Sequence, residues 1–268
     1  MKTYIVDSFT SQAFKGNPAG VCFPGKEISD QHMQQVAMEL GLSETAFVRS
    51  TDVEGIYNIR YFSPKKEIPL CGHATLAAAK IIFTTAAVSD IHCITAENVD
   101  LHVQKSNDEI VMTFPVYDLI PVTVPPALLQ ALGITAVTDT AYSEKNKIIL
   151  LEIDNAPAVA ALTPDFNALL QTHNSINGVL VTAPSSDNQY DFHYRYFWPW
   201  AGTNEDPVTG GVQTFLTKYW GQKMGKTKMK AFQSSQRTGE MSVELQGEKV
   251  LVTGQAVIVL EGNWGAIL

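Results

Sequence analysis

The residues with the clearest chemical potential lie in two short segments, each of which joins a glycine to a predicted helix start. Residues 71–75 read CGHAT, and residues 206–211 read DPVTGG. A helix N-terminus carries unpaired N–H groups and about half a positive charge, and glycine lets a ligand approach the backbone closely. Both segments are therefore predicted to bind a carboxylate or a phosphate. Pro207 suits the first turn of a helix, where its missing N–H costs nothing.

Three side chains, two of them in the first segment, are candidates for acid–base chemistry. Glu44 directly precedes an apolar strand, where partial desolvation would raise the pKa of its carboxyl toward that of a general base. His73 is a candidate proton donor or orienting group. The Cys71 thiol, at a helix N-terminus, would have a lowered pKa and act as an acid or a base. The alternatives are a surface glutamate, a histidine that caps its own helix, and a small buried thiol.

An internal duplication connects the two segments. The sequences YNIRYFSPKKEIPLCGHAT and FHYRYFWPWAGTNEDPVTG both contain Arg-Tyr-Phe-x-Pro, and their arginines, Arg60 and Arg195, are 135 residues apart. The same offset places Cys71 on Asp206, so we predict that these two residues are equivalent and face each other across a cleft. Because the arginine recurs at the equivalent place, we interpret it as structural, for example as the donor of a shared hydrogen bond.

The predicted elements around each copy follow one order. A helix over 29–41, with Ser29 as N-cap and Gly41 at its C-terminal end, precedes two strands and the apolar helix ATLAAAKIIF. In the second half, a helix capped by Thr163 precedes two strands and the helix GGVQTFLTKYW. Alternating segments follow both helices. Since a helix that is apolar nearly all round must be buried, we predict an α+β fold of two similar domains, each with a curved, mostly antiparallel sheet around its helix.

The length of the chain, 268 residues, suits two domains. A proline-rich stretch at 117–126 marks the join. We therefore predict an N-terminal domain over 1–117 and a C-terminal domain over 118–268, and the last strand is a candidate to return to the first domain.

Composition and motif content argue against several classes of function. A net charge of −8 disfavours a nucleic-acid partner, and we interpret the lysine-rich stretch at 221–230 as a solvated turn and strand edge. No apolar run approaches the ~20 residues of a membrane helix. The sequence has no HxxxH or Cys/His cluster and no GxGxxG or phosphate-binding loop, so we predict no metal and no nucleotide cofactor.

The N-terminus and the cysteines indicate a compartment. The opening MKTYIVDSFT lacks the apolar run of a signal peptide. Cys22, Cys71 and Cys93 are odd in number and lack CxxC spacing. We therefore expect free thiols in a reducing compartment, the cytoplasm.

Five motifs, in order along nearly the whole chain, make the sequence resemble the PhzF family, named for an isomerase of phenazine biosynthesis. They are GNPAGV at 16–21, LSETAFV at 42–48, RYFSP with LCGHATLAAA at 60–79, RYFWP with EDPVTG at 195–210 and, more weakly, QSSQRTG at 233–239. The resemblance implies a diaminopimelate epimerase-like fold, in which each domain is a barrel-like sheet around a central helix and the active site lies in the interdomain cleft. It also implies a cofactor-independent enzyme and a homodimer.

The resemblance further implies roles for particular residues. Glu44 of SETAF is the expected general acid and base, with His73 of GHAT and Asp206 of EDPVTG as catalytic partners. Ser43, Gly72 and Gly210 match positions that line the family's pocket, and Cys71 and Gly211 complete the predicted set of substrate-binding residues. The family usually has a serine where this chain has Gly211, so one substrate contact is absent; a neutral hydrogen bond contributes about 0.5–1.5 kcal/mol. The departure leaves the substrate's identity open.

The leading prediction is a cofactor-independent isomerase that moves a proton on a small carboxylated metabolite by general acid–base catalysis. One alternative is an α-epimerase or racemase that uses Cys71 and Asp206, although cysteine enzymes of this fold use two facing cysteines. The other is a non-catalytic small-molecule-binding or scaffold protein that kept the fold, which the missing serine at 211 would fit.

Overall fold

Two units make up the chain, and the first contains residues from both ends of the sequence. The computed structural model describes residues 1–265. Of these residues, the first unit comprises Met1–Phe114 and 251–265, and the second comprises Pro115–Val250. The C-terminal residues join the first unit because strand β18 (Ala256–Asn263) pairs antiparallel with strand β1 (Lys2–Ser8) over the whole of β1.

The first unit is mostly sheet with two helices in its described part. Its helices are α1 (Asp30–Leu40) and α2 (Gly72–Thr85). Besides β1 and β18, its strands are β2 (Asn17–Phe23), β3 (Glu44–Ser50), β4 (Ile56–Phe62), β5 (Glu67–Ile68), β6 (Asp90–Thr95), β7 (Asp100–Ser106) and β8 (Glu109–Pro115). The chain returns to this unit within β17 (Lys249–Gly254).

The second unit has the same character with more, shorter helices. Its helices are α3 (Pro126–Leu132), α4 (Ala156–Ala161), α5 (Phe166–Leu170) and α6 (Gln213–Met224), with a 3-10 helix at Pro199–Ala201. Its strands are β9 (Ile120–Pro121), β10 (Asp139–Ser143), β11 (Ile148–Glu152), β12 (Gly178–Pro184), β13 (Phe192–Trp198), β14 (Thr203–Asp206), β15 (Lys228–Gln233) and β16 (Gly239–Gln246).

Both units have the same order of strand pairing, which extends the sequence duplication to the sheet. In the first unit β2 and β3 are parallel, β4 pairs antiparallel with β3 and β5, and β6 pairs parallel with β4. In the second unit β11 and β12 are parallel, β13 pairs antiparallel with β12 and β14, and β15 pairs parallel with β13. The predicted α+β class is confirmed: the fold is mostly sheet with few helices.

The apolar helices are buried, as their composition requires. Ten of the fourteen residues of α2 are buried, from His73 to Phe83. Helix α6 buries seven residues, including Phe215, Leu216 and Trp220. Among residues 1–265, no helix is long and apolar enough to cross a lipid bilayer.

The recurring arginines each join two strands, and the structural interpretation of them is confirmed. Arg60 donates from Nε and Nη2 to the carboxylate of Glu67, at 2.7 Å in both cases. Arg195 makes the same fork with Glu205, at 2.7 and 2.8 Å. Such bidentate pairs fix geometry as well as add energy. They hold β4 against β5 and β13 against β14, the strands that lead toward α2 and α6.

Local capping explains where the predicted helices match the structure and where they shift. Ser29 caps α1 and Gly41 ends it in the left-handed conformation, as predicted. The cap predicted at Thr163 is wrong, because the side chain of Asp165 accepts from the N–H of Ala168 and α5 begins after it. The lysine-rich stretch at 221–230 is the end of α6 followed by β15, so its helical part was missed.

Candidate active site

Glu44 lies at the point where a buried strand begins. It is the first residue of β3, whose next four residues are all buried, and it pairs with Ala19 of the parallel strand β2. Only 5% of Glu44 is exposed. The alternative of a surface glutamate is therefore wrong, and the fold places a carboxylate where few water molecules can solvate it.

His73 lies in the first turn of α2 and faces this carboxylate. Its Nε2 is 3.2 Å from Oε2 of Glu44, and its Nδ1 is 3.2 Å from Nδ2 of Asn17. The hydroxyl of Ser8 donates to the His73 carbonyl at 2.8 Å, which ties the helix start to β1. With 6% of His73 exposed, the ring is held by neighbours on both of its nitrogens. The ring contacts Glu44 and Asn17, which lie outside α2, so the alternative of a histidine that only caps its own helix is wrong.

The two groups shift each other's pKa in opposite directions. Burial opposes charge on both. For Glu44, however, the hydrogen bond and charge of His73 outweigh burial and lower the pKa of the carboxyl from 4.5. For His73, the hydrogen bonds to Cys71 and Glu44 and the charge of the Glu44 carboxylate outweigh burial and hold the pKa of the imidazole well above 6.5. The prediction that desolvation raises the pKa of Glu44 is therefore wrong, because the sequence does not reveal its cationic partner.

Cys71 completes the group but keeps its proton. Its Sγ lies 3.4 Å from Nδ1 of His73. Burial raises the pKa of the thiol above 9.0, and the nearby histidine only partly offsets this. The lowered pKa predicted from the helix N-terminus is wrong, since desolvation dominates at this fully enclosed position. Cys71 is a buried thiol in contact with the histidine; we call Glu44, Cys71 and His73 the Glu44 cluster.

In the second unit, Asp206 ends β14 and begins a loop that is fixed by side chains. Asp206 is buried, and its carboxylate accepts a short hydrogen bond from the Thr209 hydroxyl. The amide of Gln233 donates to the Asp206 carbonyl at 2.6 Å, and its oxygen accepts from the N–H of Thr209 at 2.7 Å. Ser235 donates to the carbonyl of Pro207 at 2.6 Å. The loop is therefore rigid without belonging to a helix.

The predicted placement of this loop at a helix start is wrong. Helix α6 begins at Gln213, so Pro207 does not lie in its first turn. The N–H of Gln213 bonds to the carbonyl of Gly210 at 3.0 Å, and that of Thr214 to the carbonyl of Gly211 at 3.4 Å. Gly210 and Gly211 thus form the turn that leads into α6.

Strand register also corrects the predicted equivalence of Cys71 and Asp206. Tyr61 of β4 pairs with Ile68, and its counterpart Tyr196 of β13 pairs with Asp206. Asp206 therefore corresponds to Ile68, at the end of the strand that precedes the helix. The offset of 135 holds up to the Arg-Tyr-Phe strands and fails after them.

An inserted turn causes the shift. The 3-10 helix at Pro199–Ala201 lengthens the connection between β13 and β14. The paired residues Tyr196 and Asp206 are therefore ten positions apart, whereas Tyr61 and Ile68 are seven positions apart. Counting three residues beyond Ile68 and Asp206 sets Cys71 against Thr209, and counting four sets Gly72 against Gly210. The Cys-Gly of the first unit thus corresponds to Thr-Gly in the second.

The remaining predicted binding residues lie in these same segments. Ser43 directly precedes β3, and its side chain contributes to the lowered pKa of Glu44. Gly72 is the first residue of α2, where an added Cβ would lie 3.5 Å from the ring of Phe114, an ordinary contact. An added Cβ at Gly211 would meet no atom within 4 Å, so there is room for the serine that the family usually has.

Sequence reasoning missed two buried amides that hold the site. Asn17 is fully buried in β2 beside His73, and Gln233 is fully buried at the end of β15 beside Asp206. Buried amides need partners. Asn17 lies in the motif GNPAGV and Gln233 in QSSQRTG, so these two motifs are the sequence feature from which both residues could have been predicted.

The Glu44 cluster also has the donor types of a metal site. Its three ligand atoms lie within 4.8 Å of one another, and carboxylate, thiolate and imidazole are the ligands that zinc prefers. The sequence showed no such cluster, because Glu44 lies far from CGHAT along the chain. A bound metal would need the Cys71 thiolate, which burial disfavours.

The comparisons with known proteins agree with this structure. The family model described as "Phenazine biosynthesis-like protein", PhzC-PhzF, matches residues 6–262. An uncharacterized isomerase of Pseudomonas aeruginosa is 39% identical over 96% of this chain and 96% of its own. The human phenazine biosynthesis-like domain-containing protein is 38% identical over 97% of each chain. A crystal structure of a PhzF-family protein from Enterococcus faecalis covers 97% of both chains at 34% identity, with a TM-score of 0.90.

These matches extend over nearly the full length of each protein, and the range of this chain that the family model matches contains the residues of the site. The fold, the order of its motifs and the whole-chain similarity therefore lead to one conclusion. The chain belongs to the PhzF family and has its diaminopimelate epimerase-like fold.

Proposed function

We propose that the protein is a cofactor-independent isomerase that moves a proton on a small carboxylated metabolite by general acid–base catalysis. The observation that carries the proposal is the buried pair of Glu44 and His73, 3.2 Å apart. A strongly perturbed acid–base pair in an enclosed place is typical of a catalytic site. Its place in two family motifs favours the catalytic interpretation.

The pair supplies both a base and an acid. Glu44, with its pKa lowered, is a carboxylate that can take a proton from a carbon of the substrate. His73, with its pKa raised, is an imidazolium beside it that can stabilise the carboxylate or donate a proton. In the proposed reaction, the C–H electrons move into the conjugated carboxylated system, and Glu44 returns the proton to a second carbon. No proton or electron is gained or lost overall.

The start of α2 would favour the charge that forms. Its first turn contains no acidic residue, and the side chain of its N-cap, Cys71, makes no capping hydrogen bond. The positive end of the helix therefore lies beside the Glu44 cluster, and no acidic residue of its own first turn neutralises it. A substrate carboxylate or a developing enolate would be stabilised there.

The other assignments rest on the family resemblance. We propose Asp206 as a further catalytic group, and Ser43, Cys71, Gly72, Gly210 and Gly211 as substrate-binding residues. A homodimer is proposed on the same ground, and a cytoplasmic location on the free thiols of Cys22, Cys71 and Cys93. The relative from Pseudomonas aeruginosa is named an isomerase, which supports the reaction class and leaves the substrate unnamed.

Deuterium uptake from heavy water tests the proposal directly. The protein is incubated in D₂O with a panel of small amino, hydroxy and unsaturated carboxylic acids, and label is followed by mass spectrometry. We expect one compound to gain deuterium with wild-type protein and not with buffer. If compounds bind without exchange across the panel, the non-catalytic binding protein becomes the better description.

Replacing Cys71 by alanine separates the isomerase from the epimerase or racemase. Because burial keeps the thiol protonated, we expect Cys71→Ala to lower the exchange rate by less than about tenfold, a loss of packing and positioning. An enzyme in which Cys71 is a catalytic base would lose about 10²–10⁴-fold. The rate of deuterium uptake measures the difference. Cys71→Ser, which keeps the size of the side chain, controls for the cavity.

A further inference from the structure

A second cluster of ligand-type side chains lies on a hairpin of the first unit, apart from the Glu44 cluster. Strands β6 and β7 are antiparallel, and their register sets His92 directly opposite His102. The two imidazole rings are stacked, with centroids 4.8 Å apart. Asp90 precedes His92 by two residues and therefore projects from the same face of the sheet.

The three side chains converge on a small volume. Nε2 of His102 is 3.0 Å from both carboxylate oxygens of Asp90, and Nε2 of His92 is 4.0 Å from Oδ1 of the same carboxylate. All three ligand atoms lie within 4.8 Å of one another. Ligands of a tetrahedral zinc ion at 2.0–2.1 Å are about 3.3 Å apart, so small side-chain rotations on a fixed hairpin would close the site.

A second layer of hydrogen bonds orients these ligands. Nδ1 of His92 lies 2.8 and 3.0 Å from the carboxylate oxygens of Asp100. In the tautomer that donates this hydrogen bond, Nε2 keeps its lone pair for a metal ion. Gln104 donates to Oδ2 of Asp90 at 2.7 Å, which leaves Oδ1 directed toward His92. A carboxylate behind a ligating histidine is the usual second shell of a zinc site.

The cluster is accessible to an ion. The side chains of His92 and His102 are 41% and 37% exposed, and that of Asp90 is 49% exposed. From these observations we propose that Asp90, His92 and His102 bind a zinc ion, with Asp100 as the group that orients His92. Three protein ligands leave one tetrahedral position for water or for a group from outside the chain. The site is independent of the proposed isomerase reaction.

Zinc titration of the full chain by isothermal calorimetry tests this proposal. We expect wild-type protein to bind one zinc ion at this site, and His92→Gln and His102→Gln each to weaken binding at least tenfold. Asp100→Asn should weaken binding by about 10–100-fold through loss of orientation. Cobalt(II) in place of zinc should give the visible absorption of a tetrahedral complex in wild type and not in the His92→Gln/His102→Gln double variant.

Two control variants make the outcome specific. His73→Asn removes a ligand of the Glu44 cluster, and His32→Gln removes an exposed histidine on α1; neither should alter zinc binding at the hairpin. The hairpin variants change exposed side chains, and circular dichroism will verify that they are folded. The proposal is overturned if wild type binds no zinc, if the His92→Gln/His102→Gln double variant binds it as wild type does, or if His73→Asn alone abolishes binding.

Discussion

Glutamine in place of Glu44 is expected to reduce proton transfer by about 10²–10⁴-fold or more while the protein remains folded. The amide has the shape of the carboxylate and can still hydrogen-bond to His73, but it cannot accept a proton from carbon. Since Glu44 is the buried carboxylate beside His73, we expect no other group of this cluster to replace it as base. Its protonated neighbour Cys71 has too high a pKa to do so near neutral pH.

The deuterium-uptake rate of Glu44→Gln, compared with wild type on the same compound, measures this loss. Glu39→Gln is the matched control: it makes the same chemical change at an exposed position on α1 and should keep the full rate. Circular dichroism and a thermal melt establish that both variants fold. Full activity in Glu44→Gln would remove Glu44 as the base and, with it, the mechanism proposed above.

Local patterns were enough to predict the parts of the fold that depend on local physics. Ser29 and Gly41 mark the ends of α1 because capping acts within one turn. The composition of ATLAAAKIIF identified α2 as a buried helix. The repeated Arg-Tyr-Phe identified β4 and β13 as equivalent strands, which the pairing order of both units bears out.

The equivalence of Cys71 and Asp206 could not be settled by counting. A fixed offset assumes that no residue is inserted, but the 3-10 helix at Pro199–Ala201 adds three residues after the repeated strand. Nothing in the local sequence distinguishes such a turn from a loop of the same length. Only the register of β14 on β13 shows that Asp206 is equivalent to Ile68 and not to Cys71.

Contacts between distant residues explain the errors in predicted pKa. The sequence predicts desolvation of Glu44 and a helix-dipole effect on Cys71, and each acts as expected in isolation. The net directions are reversed because His73 lies against Glu44 and because burial at Cys71 exceeds the effect of the helix start. Asn17 was missed for a related reason: a single buried amide has no periodic signature and is identified only by its partner, His73.

The second prediction concerns His73→Asn and follows from the effect that Glu44 and His73 have on each other's pKa. In wild type the pKa of Glu44 is lowered. The carboxylate therefore contributes fully to the stability of the fold above pH 4.5, and this contribution is lost as the pH falls through the lowered pKa. The pKa of His73 is raised. The imidazole therefore contributes fully to the stability of the fold below pH 6.5, and this contribution is lost as the pH rises through the raised pKa. The ion pair therefore stabilises the fold fully between about pH 4.5 and pH 6.5.

Removing the imidazole leaves burial as the largest influence on Glu44, which raises the pKa of the carboxyl instead of lowering it. We expect the acidic limb of the rate profile in His73→Asn to move to higher pH, and the alkaline fall due to loss of the His73 proton to disappear. The rate at the optimum should drop by about 10²-fold or more, because the neighbouring acid is lost. Deuterium-uptake rates measured from pH 4 to pH 10 test both limbs, with His32→Gln as the control. A structural histidine would lower the rate equally at every pH, so an unshifted acidic limb would contradict the coupling of His73 to Glu44.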